Sequence, residues 1–238
     1  MQLRELDIDA CLLNIPKSIG KLKHLEKFVL YGRAYESFGL KTLPDEFCYL
    51  QSLQHLQLGG CSLVESLPVS IGNLTNLLYI DLSYWSNLHM LPNSFGNLKN
   101  LQFIYLSFCF HLQMLPYSFG ELTNLRHIDL SNCSDLQMLP DFFHNFTQLE
   151  YINLSSCSKL QNGTNLHMLP DSLANLKNLR QINLSSCPNL QMLPDFFGNL
   201  TKLQNIDLSS CSNLQNAPPF LWQRNKNAPP ILNRLPNY

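Results

Sequence analysis

An apolar residue followed by proline recurs along the chain on a fixed beat, with proline at positions 16, 44, 68, 92, 116, 140, 170, 194 and 218. The successive gaps are 28, 24, 24, 24, 24, 30, 24 and 24 residues. Proline has no backbone donor and restricts the residue before it, so it interrupts any strand and punctuates each unit. Self-similarity at this spacing describes a stack of units, each burying its apolar face against its neighbours, and not a single conventional globule. The unit LPNSFGNLKNLQFIYLSFCFHLQM, beginning at Leu91, is followed from Leu115 by LPYSFGELTNLRHIDLSNCSDLQM.

Within a unit the residues divide by role. Leu101, Ile104 and Leu106 recur as Leu125, Ile128 and Leu130, and again as Leu149, Ile152 and Leu154. Apolar residues two apart around Ile104 predict a short strand with one buried face. Phe95-Gly96-Asn97-Leu98 predicts a turn leading through a short helical or irregular stretch, and Phe47, Ile71, Phe95, Phe119, Phe143, Leu173 and Phe197 predict a spine beneath it. A 24-residue unit holds one strand and its return path, so successive strands must be parallel. Parallel sheets are normally covered on both faces and read as continuous apolar runs, whereas these strands alternate. A curved solenoid gives a parallel sheet one wet face. Leu3, Leu6, Ile8 and Cys11 repeat the spacing of Leu101, Ile104, Leu106 and Cys109, which starts the array almost at Met1 and brings it to about nine coils. At about 4.8 Å per strand, that sheet is roughly 40 Å long. Its first edge needs a cover, either from a segment upstream of Met1, which is the favoured expectation, or from the charged residues Arg4, Glu5, Asp7 and Asp9.

Composition fits this reading and excludes others. Leucine supplies 49 of the 238 residues and asparagine 25, while only 14% are charged. A formal net charge of -1 removes the electrostatic footprint of a nucleic-acid binder. No run of apolar residues is long enough to span a membrane, and the first residues lack the apolar core of a signal peptide. The expectation is a cytoplasmic chain.

The pattern LxxIxLSxCxxL followed by xxLPxxFGNLxN resembles the leucine-rich repeat of plant intracellular immune receptors, the nucleotide-binding leucine-rich-repeat class, over roughly residues 3 to 219. The resemblance implies an α/β solenoid: a right-handed horseshoe with its parallel sheet on the concave face and short helical or irregular segments on the convex one. It places the solenoid at 1–215, with longer units near 32–41 and 161–168, and a proline-rich cap or tail at 216–238. It implies a non-enzymatic recognition module of disease-resistance type, whose partner is a protein: an effector, a host protein or an adjacent domain of a larger receptor. The alternative is a scaffold or autoinhibitory module contacting other domains of a larger signalling protein. The nucleotide-binding domain of such receptors is missing, since no G-x-x-x-x-G-K-[ST] occurs.

Seven of the eight cysteines, Cys11, Cys61, Cys109, Cys133, Cys157, Cys187 and Cys211, share one phase of the repeat, with Arg33 and Trp85 in that phase elsewhere. A residue recurring once per coil is first a scaffold residue, and small buried cysteine acts as a compact hydrophobe. In the family this ladder position holds Asn or Cys bonding backbone in the turn after the strand. There is no C-x-x-C, so zinc signatures fail. Cys48 alone is out of phase and is expected as a partly exposed thiol. His55 and His127 lie on the outward parity and Cys61 and Cys133 on the inward one, which argues against a shared metal. Cys187-Pro188 resembles a haem-responsive dipeptide but sits in the ladder phase, so no cofactor is assigned. Ser131, His127 and Asp129 belong to the recurring strand and Asp-Leu-Ser pattern and make no triad, which needs an oriented base and a pocket. The Asn-x-Ser/Thr sequons follow from the same repeated segments.

Departures from the repeat carry any binding signal. The outward position two residues after the first strand leucine reads Lys27, His55, Tyr79, Phe103, His127, Tyr151, Gln181, Asn205, with Tyr84, Tyr105 and Phe108 beside it and Trp85 placed nearby. Aromatics clustered on a concave face suit a protein hot spot; equally, Tyr and Phe favour strands and pack across them. The candidate partner-binding residues are Tyr79, Tyr84, Phe103, Tyr105, Phe108, His127 and Tyr151. The extra residues within Gly32–Lys41 and the insertion Asn162–His167 are candidate binding loops or neutral drift. The tail, with Asn216-Ala217-Pro218-Pro219 and Asn227-Ala228-Pro229-Pro230, reads as an imperfect cap carrying Phe220 and Trp222 or as a proline-rich ligand.

Overall fold

A computed structural model describes residues 2–9, 12–31, 39–160 and 169–215. Cys11, Arg33, most of the first insertion, the whole of the second, and the 216–238 tail lie outside the described residues. Among the described residues nine short strands form one sheet in chain order, every neighbouring pair parallel. They are β1 (Glu5–Ile8), β2 (Lys27–Leu30), β3 (His55–Gln57), β4 (Tyr79–Asp81), β5 (Phe103–Tyr105), β6 (His127–Asp129), β7 (Tyr151–Asn153), β8 (Gln181–Asn183) and β9 (Asn205–Asp207). The register is that of the sequence repeat, so Ile80, Ile104, Ile128 and Ile152 form one buried row. Among the described residues no helix is long and apolar enough to cross a membrane.

Pro16, Pro44, Pro68, Pro92, Pro116, Pro170 and Pro194 each open a return path at a 3-10 turn. Pro92 precedes a 3-10 turn at Asn93–Asn97, and Pro116 one at Tyr117–Glu121. Proline serves there because its fixed φ suits the start of a helical turn and its missing N–H would be unpaired in any case. The spine residues expected beneath this face are buried, from Phe47 and Ile71 through to Leu173 and Phe197. Phe95 and Phe119 stack at 6.1 Å.

Two sets of recurring side-chain bonds tie neighbouring coils together. The thiols of Cys109, Cys133, Cys157, Cys187 and Cys211 donate to the carbonyls of Leu82, Leu106, Leu130, Leu154 and Leu184 at 3.1–3.4 Å. Trp85 is not an exposed aromatic: it is fully buried and takes the cysteine's place, its indole Nε1–H donating to Leu58 O at 2.8 Å. Indole supplies a better donor than a thiol and the volume of a spine residue, so the ladder tolerates it. On the opposite side, Asn76, Asn100, Asn124 and Asn178 donate from Nδ2 to Gln51 O, Thr75 O, Lys99 O and Thr147 O. Part of the asparagine richness thus serves inter-coil bonding.

Cys48 is also buried, not partly exposed. It stands in the phase of Gly20, Gly72, Gly96 and Gly120, where coils approach most closely, and burial is the main cause that holds its thiol above the ordinary range. A β-carbon built on Gly96 would lie 2.2 Å from Ser118 O. Gly96→Ala should therefore lower stability by about 1–3 kcal/mol through forced separation of two coils. A denaturant titration checks this, with the loss appearing as a lower midpoint.

Candidate functional site

The strands are too short to hold more than two outward side chains each, so the open face is two rows wide. Over β4–β6 the first row is Tyr79, Phe103, His127 and the second is Asp81, Tyr105, Asp129. At the parallel-strand spacing of about 4.8 Å, rings on adjacent strands are forced into contact. His55 stacks on Tyr79 at 4.1 Å and His127 on Tyr151 at 4.2 Å, each pair within 10° of parallel. Tyr105 bridges the two pairs, 5.3 Å from Tyr79 and 4.7 Å from His127, tilted by 40° and 36°. Phe103 fills the first row between them at 6.4 Å and 6.3 Å. The result is one unbroken row of rings across β3 to β7, every ring half-buried.

Of the seven candidate binding residues, five belong to this row: Tyr79, Phe103, Tyr105, His127 and Tyr151. Tyr84 and Phe108 form a separate group in the turns after β4 and β5. Both adopt left-handed backbone, with φ of 65° and 60°, at the position where Gly60, Asn132 and Ser156 stand in other coils. A bulky residue costs roughly 1–2 kcal/mol there. Their rings stack at 4.4 Å, and Phe110 meets Phe108 edge-on at 6.0 Å. The ladder cysteines Cys109, Cys133, Cys157, Cys187 and Cys211 are buried thiols. Burial lifts the thiols of Cys109 and Cys187 to about 12, which keeps them protonated as donors.

The recurring acid and serine have a structural task. The Oδ1 atoms of Asp81, Asp129 and Asp207 accept the backbone N–H of Ser83, Ser131 and Ser209 at 2.8–2.9 Å, fixing the turn after the strand. Asn153 and Asn183 accept in the same way from Ser155 and Ser185. Beside the ring row, Arg126 and Arg180 both pair with Glu150 at 3.4 Å. With Phe103, His127 and Tyr151 they line a groove of about 580 Å³.

A second surface escaped the pattern reading. Five of the six methionines (Met90, Met114, Met138, Met168 and Met192) immediately precede Leu-Pro, a recurrence visible in the sequence as M-L-P. Met90, Met114 and Met138 are 60%, 48% and 40% exposed. With Leu115, Pro116 and Tyr117 they line an apolar cavity of about 210 Å³ that shares no residue with the ring row.

A leucine-rich repeat region model matches residues 56–235. The chain belongs to the leucine-rich-repeat family. Such repeats are typically protein-interaction modules that present an extended concave surface. No curated protein matches the chain. Among solved structures it is similar to the leucine-rich-repeat domain of the type III effector XCV3220 (XopL), with a TM-score of 0.77 and 26% identity over 98% of this chain and 76% of that one. A TDR receptor matches with a TM-score of 0.62 and 26% identity over 86% of this chain and 35% of that one. The functional domain of InlJ from Listeria monocytogenes, which includes a cysteine ladder, shares the fold at a TM-score of 0.61 and 14% identity, over 91% of this chain and 46% of that one.

Burial inside the ring row changes how its groups titrate. Burial first, then Asp81 and Tyr105, push the Tyr79 phenol from 10.0 to about 12. The folded state holds that proton more tightly than the unfolded one, so the stabilisation is complete below pH 10 and is lost as pH rises towards 12. His127 is displaced the other way, chiefly by burial, so its neutral form stabilises the fold above about pH 6.5 and that contribution falls on acidification. Tyr79→Phe should flatten the alkaline loss of stability, measured by thermal unfolding across that range, and leave the acid side unchanged.

Proposed function

We propose that this leucine-rich-repeat chain is a non-enzymatic protein-recognition module that binds its partner on the concave ring row. The observation that carries the reading is the continuity of that row: rings from five consecutive strands form one half-buried surface. Large rigid rings give contact area at low entropy cost. Because the sheet is preformed, little ordering is lost on binding. Cross-strand stacking covers part of each ring, and each remains half-exposed, which leaves ring surface for a partner.

We further propose that the module is of plant resistance-receptor type and works in the cytoplasm against an effector, a host protein or an adjacent receptor domain. Support comes from the LxxIxLSxCxxL and LP-x-x-F-G-N-L pattern. Cys48, Cys109, Cys133, Cys157, Cys187 and Cys211 are thiols outside any disulfide, as suits a reducing compartment. Replacing Tyr79, Phe103 and Tyr105 together by Ala should weaken a partner by more than about 2 kcal/mol, roughly thirtyfold in Kd. Calorimetry against the wild type and against Thr123→Ala, an exposed turn residue outside the ring row, makes the test. Unchanged affinity in a folded triple variant would move the site elsewhere.

A further inference from the structure

The open-face rows over β4–β6 place two carboxylates within the ring cluster. Asp81, Tyr105 and Asp129 are register partners on adjacent strands, so the Tyr105 ring lies between the two acids. Tyr79 and His127 flank that ring at 5.3 Å and 4.7 Å, tilted by 40° and 36°. Each acid uses Oδ1 to hold the turn at 2.8 Å, which fixes the carboxylate and leaves Oδ2 for another donor. Among the described residues neither acid has an ion-pair partner, and the nearby arginines, Arg126 and Arg180, are both engaged with Glu150.

The scaffold does not require charge at these positions. Asn153 and Asn183 make the same turn bond one and two coils beyond Asp129 with a neutral amide. Carboxylate at 81 and 129 therefore adds two negative charges to an aromatic cluster without adding a turn contact. His127 supplies no compensating cation near neutral pH, because burial favours its neutral form. Ring faces and anionic oxygens around one position are complementary to a cation, the rings through their quadrupoles and the acids through charge-assisted hydrogen bonds.

We propose that Tyr79, Tyr105 and His127, with Asp81 and Asp129, bind a basic side chain, arginine or lysine, of the partner protein. This rests on the concave-face reading above and gives its partner a chemistry: a segment that inserts one cationic side chain between β4 and β6.

The probe is acetyl-Gly-Arg-Gly-amide, titrated into the full isotope-labelled chain and followed by amide chemical shifts, with the citrulline peptide as the neutral isostere. Saturable shifts should centre on the amides of Ser83, Tyr105 and Ser131, and the citrulline peptide should leave them in place. Asp81→Asn with Asp129→Asn keeps both turn bonds, so the fold is retained, and should raise the probe's Kd at least tenfold. Asp207→Asn, which alters the same turn bond away from the rings, should leave it unchanged. Absent shifts, equal binding of the citrulline peptide, or equal binding by the double Asn variant would overturn the inference. If the probe fails while the Tyr79, Phe103 and Tyr105 triple variant still loses its protein partner, only the basic-side-chain inference falls. If the probe binds but a protein partner ignores the triple variant, it is the protein-recognition reading that falls.

Discussion

The carbonyl of the last strand leucine is the point on which each coil depends. After three strand residues the chain must leave the sheet, and that carbonyl would be buried without a ladder partner. It receives two donors instead. Leu82 O accepts the backbone N–H of Trp85 from its own coil and the Cys109 thiol from the next, and Leu106 O accepts from Cys109 N and the Cys133 thiol. Each ladder residue thus closes its own turn and fastens the coil before it. Repetition of this bond holds the strands in fixed register, and the register in turn aligns the outward side chains into rows.

The ring row follows from that alignment. Rings at the first and third strand positions meet only because adjacent strands are held at one spacing along the whole sheet. Their contacts bury the Tyr79 phenol and the His127 imidazole enough to shift both towards their neutral forms. The same turn that hosts the ladder fixes Asp81 and Asp129. A surface assembled this way is rigid before any partner arrives, and its chemistry is set by which side chains occupy two positions per coil.

The fold was legible because a repeat states its register many times: one proline beat and one Leu-x-x-Ile-x-Leu pattern placed the nine strands, including the edge strand at Glu5–Ile8. Parity also separated outward His55 and His127 from inward Cys61 and Cys133. What the pattern could not supply was depth. Cys48 reads as an irregular thiol by phase, yet it lies where coils pack against one another and is buried. Trp85 reads as one more aromatic near Tyr79, yet its indole N–H meets a buried carbonyl and draws the ring inward. Tyr84 and Phe108 looked continuous with the ring row, but left-handed backbone turns them into a stack of their own. The methionine row was present in the sequence as M-L-P and signals nothing until its exposure is known.

The central claim is that the ring row, and not the methionine side, meets the partner. Photo-crosslinking tests it directly, with p-benzoylphenylalanine placed in turn at Phe103, in the row, and at Tyr117, 84% exposed beside the methionines. The account predicts a discrete adduct from position 103 that competes away with unlabelled wild-type chain, and none from position 117. A competable adduct from position 117 alone would contradict it.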